Sequence, residues 1–315
     1  MTPEPATERT RLTPGARRTL RETALLLFAI GSSRSDGPAR SLERHARVLT
    51  GAGLFRQVRT AVMIGGPSLQ EALRELHGDV YIVPMMMCTG WIWSTQIPAA
   101  LGLSGAPSHD GARAVHLCDP LGHCPELGRL VGLRAQVAAQ RHGRAPSETT
   151  VLLVAHGTDR DEGSQHATDR HAAWLRETGT FADIRTAYLD QAPTIPDTIS
   201  GLERPTIVAA LFATPGPHAE QDVPRLIAEG NSPNVIDYLG PIGADEGIPK
   251  VILSIVAQEV ARNTARSTAE KPLPPPSVLS VTSPLPLPRN HRRRNRTANL
   301  SSSAVVTTCE PSSTR

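Results

Sequence analysis

Aromatic residues are scarce in this chain of 315 residues, where they make up 3% of the composition. A surface that stacks nucleic-acid bases needs several exposed aromatic rings. The formal net charge is only +3, and part of the positive excess lies in one cluster, residues 289–296. The composition therefore argues against a nucleic-acid-binding protein.

Cysteines and long apolar runs are also few. The four cysteines, Cys88, Cys118, Cys124 and Cys309, form no C-x-x-C pair, and they are too few to staple a chain of this length. The longest apolar run near the start, residues 24–30, covers about a third of the roughly 20 residues that a membrane span needs. We therefore expect a cytoplasmic protein in a reducing compartment, with no membrane partner.

Nucleotide-binding loops are missing as well. The sequence contains neither G-x-x-x-x-G-K-[ST] nor G-x-G-x-x-G after a predicted strand, and these are the common glycine-rich loops that hold phosphate groups. Any reaction that this chain catalyses is therefore expected to proceed without ATP and without a dinucleotide cofactor.

The chain contains an internal repeat. Residues 24–98 align with residues 150–224 at a constant offset of 126, without a gap, and 19 of the 75 aligned positions are identical. Each copy alternates predicted strands and helices, which is typical of a parallel sheet with helices on both faces. The prediction is an α/β protein of two tandem domains, each with a mostly parallel four-stranded sheet flanked by helices.

The domain boundaries follow from composition. We predict a first domain over residues 19–142, a linker over 143–149 and a second domain over 150–265. Residues 266–315 contain repeated prolines, an arginine cluster and a Ser/Thr-rich end, which cannot build a packed core. This tail and residues 1–18 are predicted to be disordered.

Three polar residues follow strands of the second copy. His156 lies in Val-Ala-His-Gly-Thr, Asp190 ends Tyr-Leu-Asp, and His218 lies in a Pro/Gly-rich turn. Because the carboxyl ends of parallel strands meet at one edge of a sheet, these side chains should converge. Two imidazoles and a carboxylate suit Co²⁺, Fe²⁺ or Ni²⁺. Taken singly, a histidine at a strand end is often only a hydrogen-bonded structural residue, and Glu220 and Asp222 suit a helix N-terminus.

These motifs resemble a known family. The His156-Gly pair, the Leu189-Asp-x-Ala-Pro193 segment and the Phe212-x-x-x-Gly-x-His-x-x-x-Asp-x-Pro224 segment are similar to the class II tetrapyrrole chelatases of the CbiX/SirB type. That resemblance implies insertion of Co²⁺ or Fe²⁺, or Ni²⁺ in related members, into sirohydrochlorin in cobalamin or siroheme biosynthesis. It also implies chelatase-like domains with the active-site cleft between them, and no cofactor beyond the divalent metal substrate.

Residue roles carry over by position. His156 and His218 match the family's two metal-binding histidines, and Asp190 stands where the family usually has a glutamate. His218 is the preferred proton acceptor, whereas His156 and Asp190 form the metal-holding side. Arg160 and its counterpart Arg34 are candidates for contacts with substrate carboxylates, although both could be plain surface arginines.

Other histidines and cysteines favour structural roles. His45 and His171 are equivalent in the repeat. Since only the second copy has the predicted metal site, we expect a structural role for both histidines. His116, Cys118, His123 and Cys124 fit no regular zinc spacing. Because the two fused copies form a pseudo-dimer, we expect a monomer whose partner is a tetrapyrrole. A chelatase for another porphyrin and a non-catalytic metal or tetrapyrrole carrier remain alternatives.

The first copy lacks the polar site. At the offset of 126, Ile30, Ile64 and Ile92 stand opposite His156, Asp190 and His218. Isoleucine has no lone pair for a metal, so one metal per chain is expected. The isoleucines either form an apolar wall toward the active half, with contact area from Trp91 and Trp93, or fill the core of a degenerate copy.

Overall fold

The computed structural model describes residues 14–101, 108–110, 113–158 and 162–269. All of them belong to one compact unit. Nine strands are found in these ranges: β1 (Ala24–Gly31), β2 (Gln57–Ile64), β3 (Val80–Pro84), β4 (Ser108–Asp110), β5 (Arg113–Leu117), β6 (Thr150–Ala155), β7 (Asp183–Tyr188), β8 (Thr206–Ala210) and β9 (Val235–Pro241).

Helices connect the strands, as the alternating pattern predicts. The α-helices of the described ranges are α1 (Pro14–Glu22), α2 (Gly37–Gly51), α3 (Leu69–Arg74), α4 (Ile97–Leu101), α5 (Pro125–Arg141), α6 (Gly163–Glu177), α7 (Ile195–Ser200), α8 (Val223–Glu229) and α9 (Ile248–Ala269). Short π-helical turns, Ile92–Gln96 and His218–Asp222, lead into α4 and α8. None of the described helices combines the length and the apolar character of a membrane span.

The strands form two sheets. The order is β2-β1-β3-β5-β4 in the first domain and β7-β6-β8-β9 in the second. The pairs are parallel except for β4 with β5. Two four-stranded parallel sheets are thus confirmed, and the three-residue strand β4 is an addition to the first. In both sheets the first strand has the second and third strands on opposite sides, which places a topological switch point beside β1 and β6.

The internal repeat is reproduced in three dimensions at the same offset of 126. The helices α2 and α6, the helices α3 and α7, the strands β3 and β8, and the two π-helical turns each begin and end at equivalent residues. Strands β1 and β6 begin at equivalent positions, as do β2 and β7. Any position of the first domain can therefore be compared directly with its counterpart in the second.

A hydrophobic layer joins the two domains. In β1, Leu25 and Leu27 belong to a core cluster that also contains Val151 and Leu153 of β6 and buried residues of α2, α5, α6 and α9. Leu26 of β1 faces a separate cluster on the outer side of the first sheet. The alternation follows from the two-residue period of a strand, and it explains why both faces of each strand are apolar.

Two buried histidines link the domains across this layer. Nε2 of His45 lies 2.9 Å from the carbonyl oxygen of Gly243, and Nε2 of His171 lies 2.8 Å from that of Gly122. Burial lowers the pKa of both imidazoles, which favours the neutral ring that donates from Nε2. The structure thus gives the equivalent histidines the scaffold role expected of them.

Two terminal helices extend beyond the residue ranges predicted for the two domains. Helix α1 begins at Pro14, inside the stretch predicted as disordered, and its Leu20 is fully buried. Helix α9 continues to Ala269, past the predicted domain end at 265, because no helix-breaking residue occurs before Pro272. The predictions for residues 1–13 and 270–315 lie outside the described residues.

Candidate metal centre

His156 is positioned by the turn that follows β6. The backbone N–H of Asp190 donates to the carbonyl oxygen of His156 at 3.0 Å, which ties the end of β7 to this turn. Gly157 has a φ of +71°, and a Cβ there would lie 2.8 Å from Cβ of Tyr188. Only glycine combines this backbone conformation with so close an approach, so the His156-Gly157 pair has a direct structural reason.

His218 opens the π-helical turn before α8. The N–H of Val223 donates to the carbonyl of His218, five residues earlier. The next donor in that pattern would be Pro224, which has no N–H, so the carbonyl of Ala219 receives no bond of this kind. The hydroxyl of Tyr238 donates to that carbonyl at 2.6 Å. Single π-helical turns are frequent at functional sites.

The two imidazoles meet at the switch point of the second sheet. The ring centroids of His156 and His218 are 5.1 Å apart with an interplanar angle of 79°, an edge-to-face arrangement. His156 follows β6 and His218 follows β8, its neighbour in the sheet. Crevices at the carboxyl ends of such strands are the usual ligand sites of open α/β sheets.

Each imidazole has its own carboxylate. Nδ1 of His156 lies 2.8 Å from the carbonyl oxygen of Gly157 and 3.3 Å from Oδ2 of Asp190. Nδ1 of His218 lies 2.8 Å from Oδ2 of Asp222. Since these partners are acceptors, the proton is on Nδ1 in both rings. Both Nε2 lone pairs are therefore the ones that can bind a metal.

The predicted trio is thus brought together in an unexpected arrangement. In the part of the chain that the structure describes, no three His, Cys, Asp or Glu side chains are arranged to hold a metal ion. Asp190 contacts Nδ1 of His156 at 3.3 Å, and its role as a metal ligand stays a prediction. A metal ion bound by two imidazole nitrogens keeps further coordination positions open, and a substrate can supply the ligands for them.

Solvent reaches all four side chains. His156, Asp190, His218 and Asp222 are 47%, 60%, 56% and 39% exposed, respectively. Exposed ion pairs of this kind contribute little to stability. Their geometry is therefore not explained by stability, and it points to a role in binding or catalysis.

Asp222 is the residue of this centre that the sequence interpretation passed over. Its acidic position near a helix start suggested an interaction with the helix dipole. A histidine and an aspartate four residues apart on one helical turn were the signal that could have revealed the pair.

The remaining candidates have different positions. Arg34 is exposed on the loop between β1 and α2, and its backbone N–H donates to Oγ of Ser32. Arg160 lies outside the described residues. His116 stacks on Tyr81 and hydrogen-bonds Asn263, so the possible ligand cluster around residues 116–124 is part of the packing.

Comparisons with known proteins agree with the sequence resemblance. The CbiX family model matches residues 24–138 and 150–259, that is, both copies. A protein of Halobacterium salinarum named "Probable sirohydrochlorin cobaltochelatase" is 27% identical over 221 residues, which are 64% of this chain and 75% of that protein.

Solved structures have the same fold. A multi-domain protein of Deinococcus radiodurans, described as similar to chelatases, superposes with a TM-score of 0.65 at 23% identity, over 79% of this chain and 60% of that one. Our chain thus spans less than two thirds of that protein. A CbiX described as the terminal enzyme of siroheme biosynthesis in denitrifying bacteria gives a TM-score of 0.60 at 25% identity, over 76% of this chain and 98% of that one.

Proposed function

Because this chain belongs to the CbiX family, the class II chelatases of the CbiX/SirB type, we propose that it inserts Co²⁺ into sirohydrochlorin without ATP. The choice of cobalt is supported by the name of the Halobacterium relative. Fe²⁺ is the next candidate, since the structurally similar CbiX acts in siroheme biosynthesis. The observation that carries the proposal is the pair of imidazoles, His156 and His218, at the switch point of the second sheet.

Metal insertion needs a group that holds the ion against the ring and a base that removes two pyrrole N–H protons. Imidazole can do both, because its unperturbed pKa lies near 6.5 and its neutral form binds Co²⁺ and Fe²⁺. In our proposal Nε2 of His156 and Nε2 of His218 present the ion to the macrocycle. As the ion moves to the pyrrole nitrogens, each released Nε2 is a proton acceptor at the reacting centre.

The two histidines have different partners, which divides their roles. Nδ1 of His218 lies 2.8 Å from the carboxylate of Asp222, and a negative charge at that distance stabilises the imidazolium formed by proton uptake. Nδ1 of His156 contacts a neutral carbonyl at 2.8 Å and Asp190 only at 3.3 Å. We therefore assign His218 as the first proton acceptor. His156 with Asp190 is the metal-holding side, and Nε2 of His156 accepts the second pyrrole proton once the ion has moved to the macrocycle.

Asp190 acts on the metal through His156. Its contact with Nδ1 fixes the ring orientation and increases the basicity of Nε2, as carboxylates do for many metal-binding histidines. The same argument makes Asp222 the positioning residue of His218. A substrate with acidic substituents also needs cations, and Arg34 on the β1–α2 loop and Arg160 after His156 are proposed for that contact.

The test is turnover of metal-free sirohydrochlorin under anaerobic conditions, followed by absorbance, with Co²⁺, Fe²⁺ and Ni²⁺ in separate reactions and no nucleotide. We expect many equivalents of product per chain with Co²⁺, at a rate well above spontaneous insertion. Product formation that stops at one equivalent per chain would identify a carrier and contradict the proposal. Faster insertion of Fe²⁺ than of Co²⁺ would overturn the choice of metal alone.

A further inference from the structure

Most of the exposed large apolar side chains in the described ranges lie at or after the ends of strands of the first sheet. Large hydrophobic residues that are exposed in the described ranges number six, and four of them are Ile30, Met63, Ile64 and Trp91, between 39% and 64% exposed. We call these four residues the apolar face. The other two, Val48 and Leu133, lie on helices α2 and α5. Contiguous exposed apolar surface marks a binding site more often than single exposed residues do.

The apolar face lies at the carboxyl edge of the first sheet. Ile30 is the second-last residue of β1, and Met63 and Ile64 end β2, whose Ile64 pairs with Gly31. Trp91 precedes the π-helical turn that follows β3, the other neighbour of β1. These residues surround the switch point of the first sheet, where open α/β sheets bind ligands.

That position is equivalent to the candidate metal centre. At the offset of 126, Ile30 corresponds to His156 and Ile64 to Asp190. Their exposures of 39% and 45% show that these two do not fill a core. Ile92, the counterpart of His218, is half-buried and packs with Trp93 against the outer cluster. Trp93 also donates from Nε1 to the carbonyl of Cys118, so Trp91 alone supplies an exposed indole.

The two strand-end edges meet through their loops. The loop after Ile30 passes through Arg34 and reaches Gly37, where an added Cβ would lie 3.5 Å from Cβ of Pro215. Pro215 stands three residues before His218. The loop that carries Arg34 therefore packs against the loop that carries His218, and the apolar face and the metal centre lie at edges joined by this contact.

We propose that the apolar face is the platform for the flat hydrophobic side of the tetrapyrrole, while the two histidines present the metal from the second domain. The inference rests on the proposed function, since it takes the same substrate. A tetrapyrrole is a planar apolar body with acidic groups at its rim. The apolar face matches the flat ring, and the exposed cation Arg34, four residues beyond Ile30, matches the acidic rim. The first domain thus contributes substrate recognition in place of metal binding.

The experiment measures binding separately from turnover. Fluorescence titration with metal-free sirohydrochlorin gives the Kd of the wild type and of Ile64→Ser and Trp91→Ser. Loss of one buried large apolar contact is expected to raise this Kd about tenfold in each variant. Calorimetric titration with Co²⁺ alone should give wild-type affinity, because neither residue is near Nε2 of the histidines in our assignment.

Matched controls are Val48→Ser and Leu133→Ser, whose parent side chains are each 54% exposed but lie away from the strand ends. Both should bind sirohydrochlorin as the wild type does. An unchanged Kd in Ile64→Ser and Trp91→Ser, or equal weakening in the controls, would overturn the proposal. So would analytical ultracentrifugation that finds a wild-type dimer dissociated by Ile64→Ser, since the apolar face would then bind a second copy of the chain.

Failure of this inference is distinguishable from failure of the proposed function. A wild-type chain that turns over sirohydrochlorin, with apolar-face variants that bind it normally, refutes the platform alone. A wild-type chain that binds sirohydrochlorin but does not turn it over, with variants that bind it weakly, refutes the chelatase activity and supports the platform. A wild-type chain that binds no sirohydrochlorin refutes both.

Discussion

Nδ1 of His218 lies 2.8 Å from Oδ2 of Asp222 within one π-helical turn. This contact makes Nε2 the reactive nitrogen of the ring and places a negative charge behind it. We predict that Asp222→Asn lowers both kcat and metal affinity, by about 10- to 100-fold in either quantity, as is common for carboxylates behind metal-binding histidines. Insertion kinetics and calorimetric titration with Co²⁺ measure the two effects.

Glu220→Gln is the control for Asp222→Asn, because Glu220 is exposed on the same turn and the change removes the same charge. It should keep near-wild-type kinetics. Asp222→Glu, which retains the carboxylate, should recover part of the activity lost in Asp222→Asn. Equal loss in Glu220→Gln and Asp222→Asn would mean that general electrostatics, and not the contact with His218, is responsible.

The hydroxyl of Tyr238 holds the turn that carries His218. Tyr238→Phe removes the hydroxyl that donates to the carbonyl of Ala219, to which Pro224 has no N–H to donate. An unsatisfied carbonyl of this kind costs about 1–3 kcal/mol in the free energy of unfolding. We expect that loss in urea denaturation, together with a lower insertion rate. Unchanged stability with unchanged kinetics would show that water replaces the hydroxyl without consequence.

The buried histidines between the domains make stability depend on pH. Burial lowers the pKa of His45 and His171 below their ordinary value of 6.5. Above pH 6.5 both the folded and the unfolded chain hold these rings neutral, so they add no pH dependence. Below pH 6.5 the unfolded chain takes up protons that the folded chain refuses, and the free energy of unfolding falls until the lowered folded pKa values are reached.

Urea denaturation between pH 8 and pH 5 measures this effect. In His171→Gln the amide can still donate to the carbonyl of Gly122 but does not titrate, so the loss of stability on acidification should be smaller than in the wild type. His77→Gln, a change at an exposed histidine, should leave the wild-type slope. A slope in His171→Gln as steep as in the wild type would contradict the prediction.

Metal stoichiometry follows from the asymmetry of the repeat. The first domain has Ile30, Ile64 and Ile92 where the second has His156, Asp190 and His218, so one equivalent of Co²⁺ per chain is expected in calorimetric titration. The double variant His156→Ala/His218→Ala should bind none at that affinity. Two equivalents in the wild type would show that a second site exists outside the candidate centre.

The order of strands and helices could be predicted because the two copies of the repeat can be compared with each other. A constant offset of 126 with glycines and prolines at equivalent turns indicates the order of the elements. That order places His156, Asp190 and His218 after the ends of strands. Strand β4 was not predictable, since three residues carry no periodic signal. Helix α1 was missed because Leu20, which is fully buried, has no repeated counterpart.

The finer features of the site depend on side-chain placement, which spacing does not determine. Whether Ile30 and Ile64 fill a core or face solvent is decided by the neighbouring loops, and only their exposures separate the two interpretations. The contact of Asp190 with Nδ1 of His156 depends on how two turns approach each other, which spacing alone does not give. The spacing of four residues between His218 and Asp222 was visible in the sequence, but it does not show which nitrogen of the ring the carboxylate contacts.

The catalytic role of His218 is tested by the initial rate of Co²⁺ insertion into sirohydrochlorin in His218→Ala, measured beside the wild type and His166→Ala. His166 is an exposed histidine on α6 that pairs with Glu162, so its removal controls for loss of an imidazole elsewhere. We expect a rate no higher than spontaneous insertion for His218→Ala and a wild-type rate for His166→Ala. A wild-type rate in His218→Ala would contradict that role.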